Sequence, residues 1–391
     1  MIVVDVIIVL LLVLALVSGI RRGFFASIGT LAGLAAGAFA ASWLAPLVSG
    51  MVPSPAWRTV AVIATVIGLL FAGGALGAWI GSLLRSGADR LKLRWVERFL
   101  GGVAAVIAAG LALALVAPPL VTAGIPGVSA AVGSSYIVNG IKTAVPPPVE
   151  AAMAELRSAF LDEGIPRLGE LLGPSSVTPT QPAIALDDPE LAAAAASVAR
   201  VSGIAYACGR GATGSGFVIA PDRVVTNAHV VAGVDLPLVE LPGRPAREGR
   251  IVYFDPVDDL AVIAVDDLGA AALGRAPTLT PGSSAAVQGY PLGGPFTMTS
   301  ASVRSTGTAM IPDIYDRTSN LREIYSLNSV VRPGNSGGPV LTADGEVAGV
   351  VFARAENDEN LGYAMTMAPL NPVADRAPSL TNAVSTGDCI G

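Results

Sequence analysis

Charge is nearly absent from four long stretches at the start of this chain, and a segment without charge over twenty or more residues has few ways to fold in water. Residues 1–20 hold one charged side chain, Asp5, while Gly23–Trp57, Thr59–Leu84 and Phe99–Ile141 hold none. Roughly 20 apolar residues cross the hydrocarbon of a bilayer, so the pattern predicts membrane helices near 2–20, 24–48, 59–84 and 100–122. The whole 391-residue chain is 52% hydrophobic and 14% charged, against about 25% charged residues in ordinary soluble proteins, which excludes a wholly soluble chain. Arg21-Arg22 follows the first apolar run instead of preceding it, and no small-residue cleavage site closes that run, so the first helix is expected to stay attached.

Positive charge sets the expected orientation. The first loop holds Arg21 and Arg22, the second only Arg58, and the third Arg85, Arg90, Lys92, Arg94 and Arg98. The positive-inside rule then puts the first and third loops in the cytoplasm, and everything beyond about residue 123 outside it. Gly29, Gly33 and Gly37, and again Gly73, Gly77 and Gly81, recur every four residues. A transport seam and ordinary close packing of helices would both use such a face. Packing is favoured, because no ionisable residue within those helices marks a path for ions or substrate. A net charge of −6 gives no basic footprint for nucleic acid. One histidine and two cysteines are too few for a zinc or iron–sulfur centre, so neither metal nor cofactor is expected.

Three regions follow: a membrane part over 1–123, a proline-containing connector over 124–187, and a third domain over 188–391. In the connector, Pro146-Pro147-Pro148 stops a helix, Val149–Leu161 has the composition of a short amphipathic one, and Pro174–Pro182 forms an extended spacer open to cleavage. Asp188-Pro189-Glu190 reads as a cap, a first-turn proline and an acidic first turn, opening a helix. Beyond residue 203, short β-branched runs alternate with Gly, Pro and Asp: Ser215–Ile219, Arg223–Thr226, Arg250–Tyr253, Leu260–Val265, Ser284–Gln288, Val330–Val331 and Val347–Phe352. Such spacing predicts an all-β barrel or sandwich.

Three motifs lie in this β-rich region. Gly214-Ser215-Gly216-Phe217-Val218 leads into Val225-Thr226-Asn227-Ala228-His229-Val230; Asp259-Leu260-Ala261-Val262 follows; Gly334-Asn335-Ser336-Gly337-Gly338-Pro339 comes last. The order His, Asp, Ser with glycines about the serine resembles the chymotrypsin-like serine protease family. That resemblance implies a double β-barrel and a serine endopeptidase acting on protein or peptide substrates, with Ser336 as nucleophile, His229 as general base and acid, and Asp259 as orienter. The chemistry gives the reason: a hydroxyl is a weak nucleophile at neutral pH, so a base must take its proton and a carboxylate must hold that base in the right tautomer. Asp258 is the reserve for the acid. The oxyanion hole falls in Gly334, Asn335 and Ser336, with the Gly334 and Ser336 amides as expected donors. Val330 stands six residues before the nucleophile, where the trypsin branch keeps an acid, which disfavours Lys or Arg before the cleaved bond. Phe352, Ala353 and Arg354 are expected to wall the pocket. An imidazole base is lost as it protonates near pH 6.5, so cleavage is expected to fall below about pH 6.

Cys208 and Cys389, placed by the topology in an oxidising compartment, are expected to pair and tie the ends of the barrel together. Ile20-Arg21-Arg22-Gly23-Phe24 at the end of the first helix resembles the turn of the colicin V production protein family, which implies a multi-spanning anchor in the lipid bilayer of the cell membrane. The high-temperature-requirement protease branch shares Gly-Asn-Ser-Gly-Gly-Pro but carries a peptide-binding module after the barrel, for which little chain follows here. Anchor, spacer, barrel and terminal cysteine together resemble the periplasmic serine proteases of actinobacteria associated with acid resistance. This implies a role in envelope stress, with substrates in the cell envelope and self-cleavage in the connector. The rival reading is a transporter or channel-like protein whose barrel is an accessory or only binds.

Overall fold

The computed structural model describes the chain except residues 1, 52–54, 89–93, 123–130, 133–134, 147, 151, 154–164, 170, 173–183, 206–209 and 391. It divides into two compact units: Met1–Val121 with Ile125–Leu161, and Thr122–Gly124 with Asp162–Gly391.

The first unit is helical: α1 (Ile2–Arg22), α2 (Phe24–Met51), α3 (Pro55–Ala88), α4 (Arg94–Thr122) and the short α5 (Tyr136–Ala144). Within α1–α4, the stretches Val4–Arg22, Phe24–Ala41, Ala64–Leu83 and Trp95–Ala117 are long and apolar enough to cross a membrane. Their outer faces are bare hydrocarbon, with Leu14, Phe71, Trp79 and Trp95 each more than half exposed. The glycine face is a packing surface: a Cβ on Gly33 would run into the Gly73 carbonyl, and one on Gly29 into that of Gly77. Lipid offers no hydrophobic drive for one helix to join another, so this close backbone approach supplies the contact. Asp5 accepts from the Ser135 hydroxyl at 2.5 Å, tying α1 to the start of α5.

The second unit is built of two seven-stranded sheets. In one the order is β6 (Arg247–Glu248), β5 (Leu238–Glu240), β2 (Val198–Ala205), β3 (Arg210–Ala220), β4 (Arg223–Thr226), β8 (Leu260–Ala264), β7 (Arg250–Asp255). In the other it is β1 (Arg167–Leu168), β13 (Val347–Ala355), β12 (Pro339–Leu341), β9 (Ser284–Gly289), β10 (Thr297–Pro312), β11 (Ser319–Asn328), β14 (Leu361–Met365), closed by a β13–β14 pairing. The chain thus folds as four apolar helices followed by a β-rich, trypsin-like domain with curled sheets. Strands β8 and β14 are buried at every position, so they read as continuous apolar runs instead of alternating.

Three short helices complete the unit: α6 (Pro189–Ala195), α7 (Ala228–Val231) and α8 (Met367–Arg376). The Asp188 carboxylate caps α6 by accepting from the Glu190 amide at 3.1 Å, with Pro189 in the first turn. Val330–Val331, expected as a strand, is irregular, because it leads straight into the Pro333 turn described below. The long β10–β11 hairpin was missed: β10 is rich in Ser and Thr and partly exposed along much of its length, and in β11 polar and charged residues interrupt the apolar ones. The spacer Pro174–Pro182 and most of the helix expected over Val149–Leu161 lie outside the described residues.

Candidate active site

Pairing of β4 with β8, Thr226 opposite Ala261, brings the histidine motif beside the acid. His229 sits on α7 directly after β4, and Asp259 occupies the turn before β8. Asp259 has φ 55°, a left-handed conformation that Asp and Asn tolerate better than other side chains. Its carbonyl is held by the Asn227 side-chain amide at 2.8 Å. Its carboxylate meets the histidine twice: Oδ1 accepts the His229 backbone N–H at 2.9 Å and Oδ2 lies 2.7 Å from Nδ1. Because Oδ2 can only accept, Nδ1 carries the proton in the neutral ring, and Nε2 is the free base.

Asp258 does not reach the ring. Its backbone N–H donates to Asp255 Oδ1 at 3.1 Å, and burial, with the Asp255 charge adding, raises its carboxyl above the usual range.

Ser336 lies in the loop before β12 and is 2% exposed. Its Oγ and His229 Nε2 are both buried and both without a hydrogen-bond partner. They line the same cavity, of about 330 Å³. In uncomplexed sites such hydroxyl–imidazole contacts are often long and tighten around substrate.

The loop leading to Ser336 is a tight turn. Asn335 N–H donates to the Arg332 carbonyl at 3.0 Å, with Pro333 and Gly334 at the two central positions and Gly334 at φ 91°, the residue signature of a type II turn. The N–H of Asn335, also expected in the oxyanion hole, is engaged in this turn. The Gly334 and Ser336 amides donate no hydrogen bond among the described residues and stand as the available pair of donors.

Two residues of the site were not singled out from the sequence. The buried Ser215 hydroxyl donates to the Gly334 carbonyl at 2.7 Å and accepts the Tyr290 amide at 2.9 Å, while the Ser215 N–H donates to the Ser336 carbonyl at 2.7 Å. Ser215 thereby pins both residues of the expected hole; its place between two glycines was the only signal for it. Arg322 is 4% exposed and stacks over Phe352 with its guanidinium carbon 5.4 Å from the ring centroid. Burial lowers the pKa of this guanidinium, against the pull of Asp259, Asp258 and Asp255. Nothing in the local sequence marks it, since the acids it faces are about sixty residues away.

Of the expected pocket residues, Phe352 lines the cavity and Ala353 is fully buried. Arg354 donates its backbone N–H to Pro166 at 3.1 Å. Val330 is 38% exposed and does not line the cavity, because the chain turns it outward; the buried neighbour is Val331. Cys208 lies outside the described residues. No free cysteine occurs among the described residues, which include Cys389.

Residues 214–350 match the trypsin-like peptidase domain and residues 4–146 the colicin V production protein family. Serine protease Rv3671c of Mycobacterium tuberculosis is 32% identical over 99% of this chain and 98% of its own length. The crystal structure of the active form of that protease superposes with a TM-score of 0.50 at 37% identity, covering 56% of this chain and 100% of that one. A DegP-like periplasmic serine endoprotease of Marinomonas sp. is 32% identical over 44% of this chain and 36% of its own.

Proposed function

Since this chain belongs to the family of serine proteases that includes the mycobacterial Rv3671c, and is a serine endopeptidase, we propose that it cuts envelope proteins outside the cytoplasm while anchored by its four apolar helices. Ser336 attacks the scissile carbonyl, His229 takes its proton and returns it to the leaving amine, and Asp259 holds the ring and stabilises the imidazolium. The Gly334 and Ser336 amides bind the oxyanion. One observation carries this reading: Asp259 saturates one nitrogen of the only histidine, while the other nitrogen and the Ser336 hydroxyl are buried, unpartnered and open to one cavity.

The membrane domain ends at about residue 123 and the protease domain proper begins at about 188, with the connector between them contributing β1 to the protease sheet; both termini lie outside the cytoplasm, and the connector is a site of self-cleavage. The biological setting is envelope and acid stress, as the resemblance to the actinobacterial proteases implies. A fluorophosphonate probe added to the full-length protein in detergent should label Ser336 rapidly, and His229→Ala should reduce labelling to background. Equal labelling of both proteins overturns the assignment of the base.

Cys208 and Cys389 form a disulfide across the ends of the protease domain. Closing so long a loop stabilises the fold by up to about 5 kcal/mol on the chain-entropy model. Reduction, or Cys208→Ser, should lower both the melting temperature and the rate of peptide hydrolysis; a reduced enzyme with both unchanged excludes the bond or its importance.

A further inference from the structure

We infer that Ile165–Leu168 is a built-in occupant of the substrate cleft, seated in a non-productive direction. The inference deepens the proteolytic reading and rests on the roles proposed for Ser336 and His229.

Ile165 and Pro166 line the same cavity as His229 and Ser336. Ile165 is 5% exposed and belongs to an apolar cluster with Val331 and Val351, which flank the Ser336 loop and Phe352 in sequence. From there the chain adds to the free flank of β13 as β1, parallel, with Arg167 opposite Arg354 and Leu168 opposite Ala355. Arg354 N–H donates to the Pro166 carbonyl at 3.1 Å and Glu356 N–H to that of Leu168 at 3.0 Å. Main-chain bonds to a sheet edge, with a side chain in a flanking pocket, are how extended peptides are commonly bound.

This segment is not poised to be cut. A peptide cleaved after Ile165 would place the Ile165 carbonyl against the Gly334 and Ser336 amides and send the following residue across His229. Instead the chain beyond Ile165 leaves along β13, the following residue is a proline, and neither amide donates a bond among the described residues. The segment therefore competes with substrate without becoming one.

The seat is also built to be released. Apart from the packing of Ile165 in its cluster and of Leu168 against the core, two residues of parallel pairing hold it, parallel ladders being slightly the weaker kind, and like charges, Arg167 and Arg354, face each other across it. Further along, the Tyr363 hydroxyl donates to the Gly169 carbonyl at 3.0 Å, and Leu171 and Leu172 pack on the core. The strap is thus held on its C-terminal side beyond Gly169, so that its lifting need involve only Ile165–Leu168 among the described residues.

An internal competitor raises the apparent KM by the inverse of the unblocked fraction and leaves kcat alone. In the full-length protein in detergent, Ile165→Asp should lower KM for a short peptide carrying Val at the cleaved position by roughly tenfold, if the segment is seated about nine-tenths of the time, with kcat unchanged. An unchanged or raised KM overturns the proposal. In the wild-type protein, a covalent peptidyl phosphonate bearing Val should accelerate amide exchange over residues 165–169; exchange left unchanged when Ser336 is fully modified also overturns it. Ser336→Ala separates the two readings: cleavage surviving there sinks the catalytic assignment, whereas cleavage lost there with KM unmoved by Ile165→Asp sinks only the strap.

Discussion

Ser336→Ala is expected to reduce peptide hydrolysis by the full-length protein about a millionfold, the size found when the nucleophile of another Ser-His-Asp protease is removed. The Ser336 hydroxyl makes no hydrogen bond that holds the fold together, so the loss should come without a change in melting temperature. Its backbone carbonyl, which accepts from Ser215, is untouched by the substitution. The measurement is steady-state cleavage of an apolar chromogenic peptide, with thermal unfolding of the same preparation as the control. A variant that folds and still cleaves within tenfold of the parent would falsify the nucleophile assignment and revive the rival in which the barrel serves a transporter or merely binds.

The second large effect belongs to Asp259. Asp259→Asn should lower kcat by about 10⁴-fold, as the same change does in triads of this type. Asn accepts the left-handed backbone at φ 55° nearly as well as Asp, so the turn before β8 should survive. What changes is hydrogen bonding: the carboxylate receives both the His229 amide and Nδ1–H. A carboxamide has only one oxygen and would offer N–H groups where an acceptor is needed, driving the ring toward the tautomer whose Nε2 carries the proton. Burial of the acid, 3% exposed, leaves little water to compensate. The corresponding Asp258→Asn should stay within about threefold of the parent, since its backbone turns away toward Asp255 and its side chain does not meet the histidine. If the two variants behave alike, the geometry of the Asp259 turn is not what orients the base.

Much of this was legible from local pattern. Uncharged runs of membrane length need no tertiary context to be read, because the cost of burying charge in hydrocarbon is paid residue by residue. The histidine and serine motifs were equally plain, since a catalytic turn needs particular residues at adjacent positions. Local order also favoured Asp259 over Asp258 through its place immediately before an apolar strand. Local pattern gave no hold on the β10–β11 hairpin, whose strands mix polar with apolar residues and are held by pairing with β9 and β14, nor on Arg322, whose partners lie far off in the chain.

The sequence by itself therefore determined that apolar membrane helices precede a β-rich domain, the class of reaction and the three side chains proposed to perform it, because hydropathy and short motifs are properties of neighbouring residues. Only the tertiary structure decided that Ser215 clamps the Ser336 loop, that the Asn335 N–H closes the turn before it, that Val331 and not Val330 is the buried residue ahead of that loop, and that Ile165 lines the same cavity as His229 and Ser336. Each of those outcomes depends on which strand edges and carbonyls are left open after the two sheets close. That is a matter of chain direction and distance in space, which no spacing along the sequence encodes.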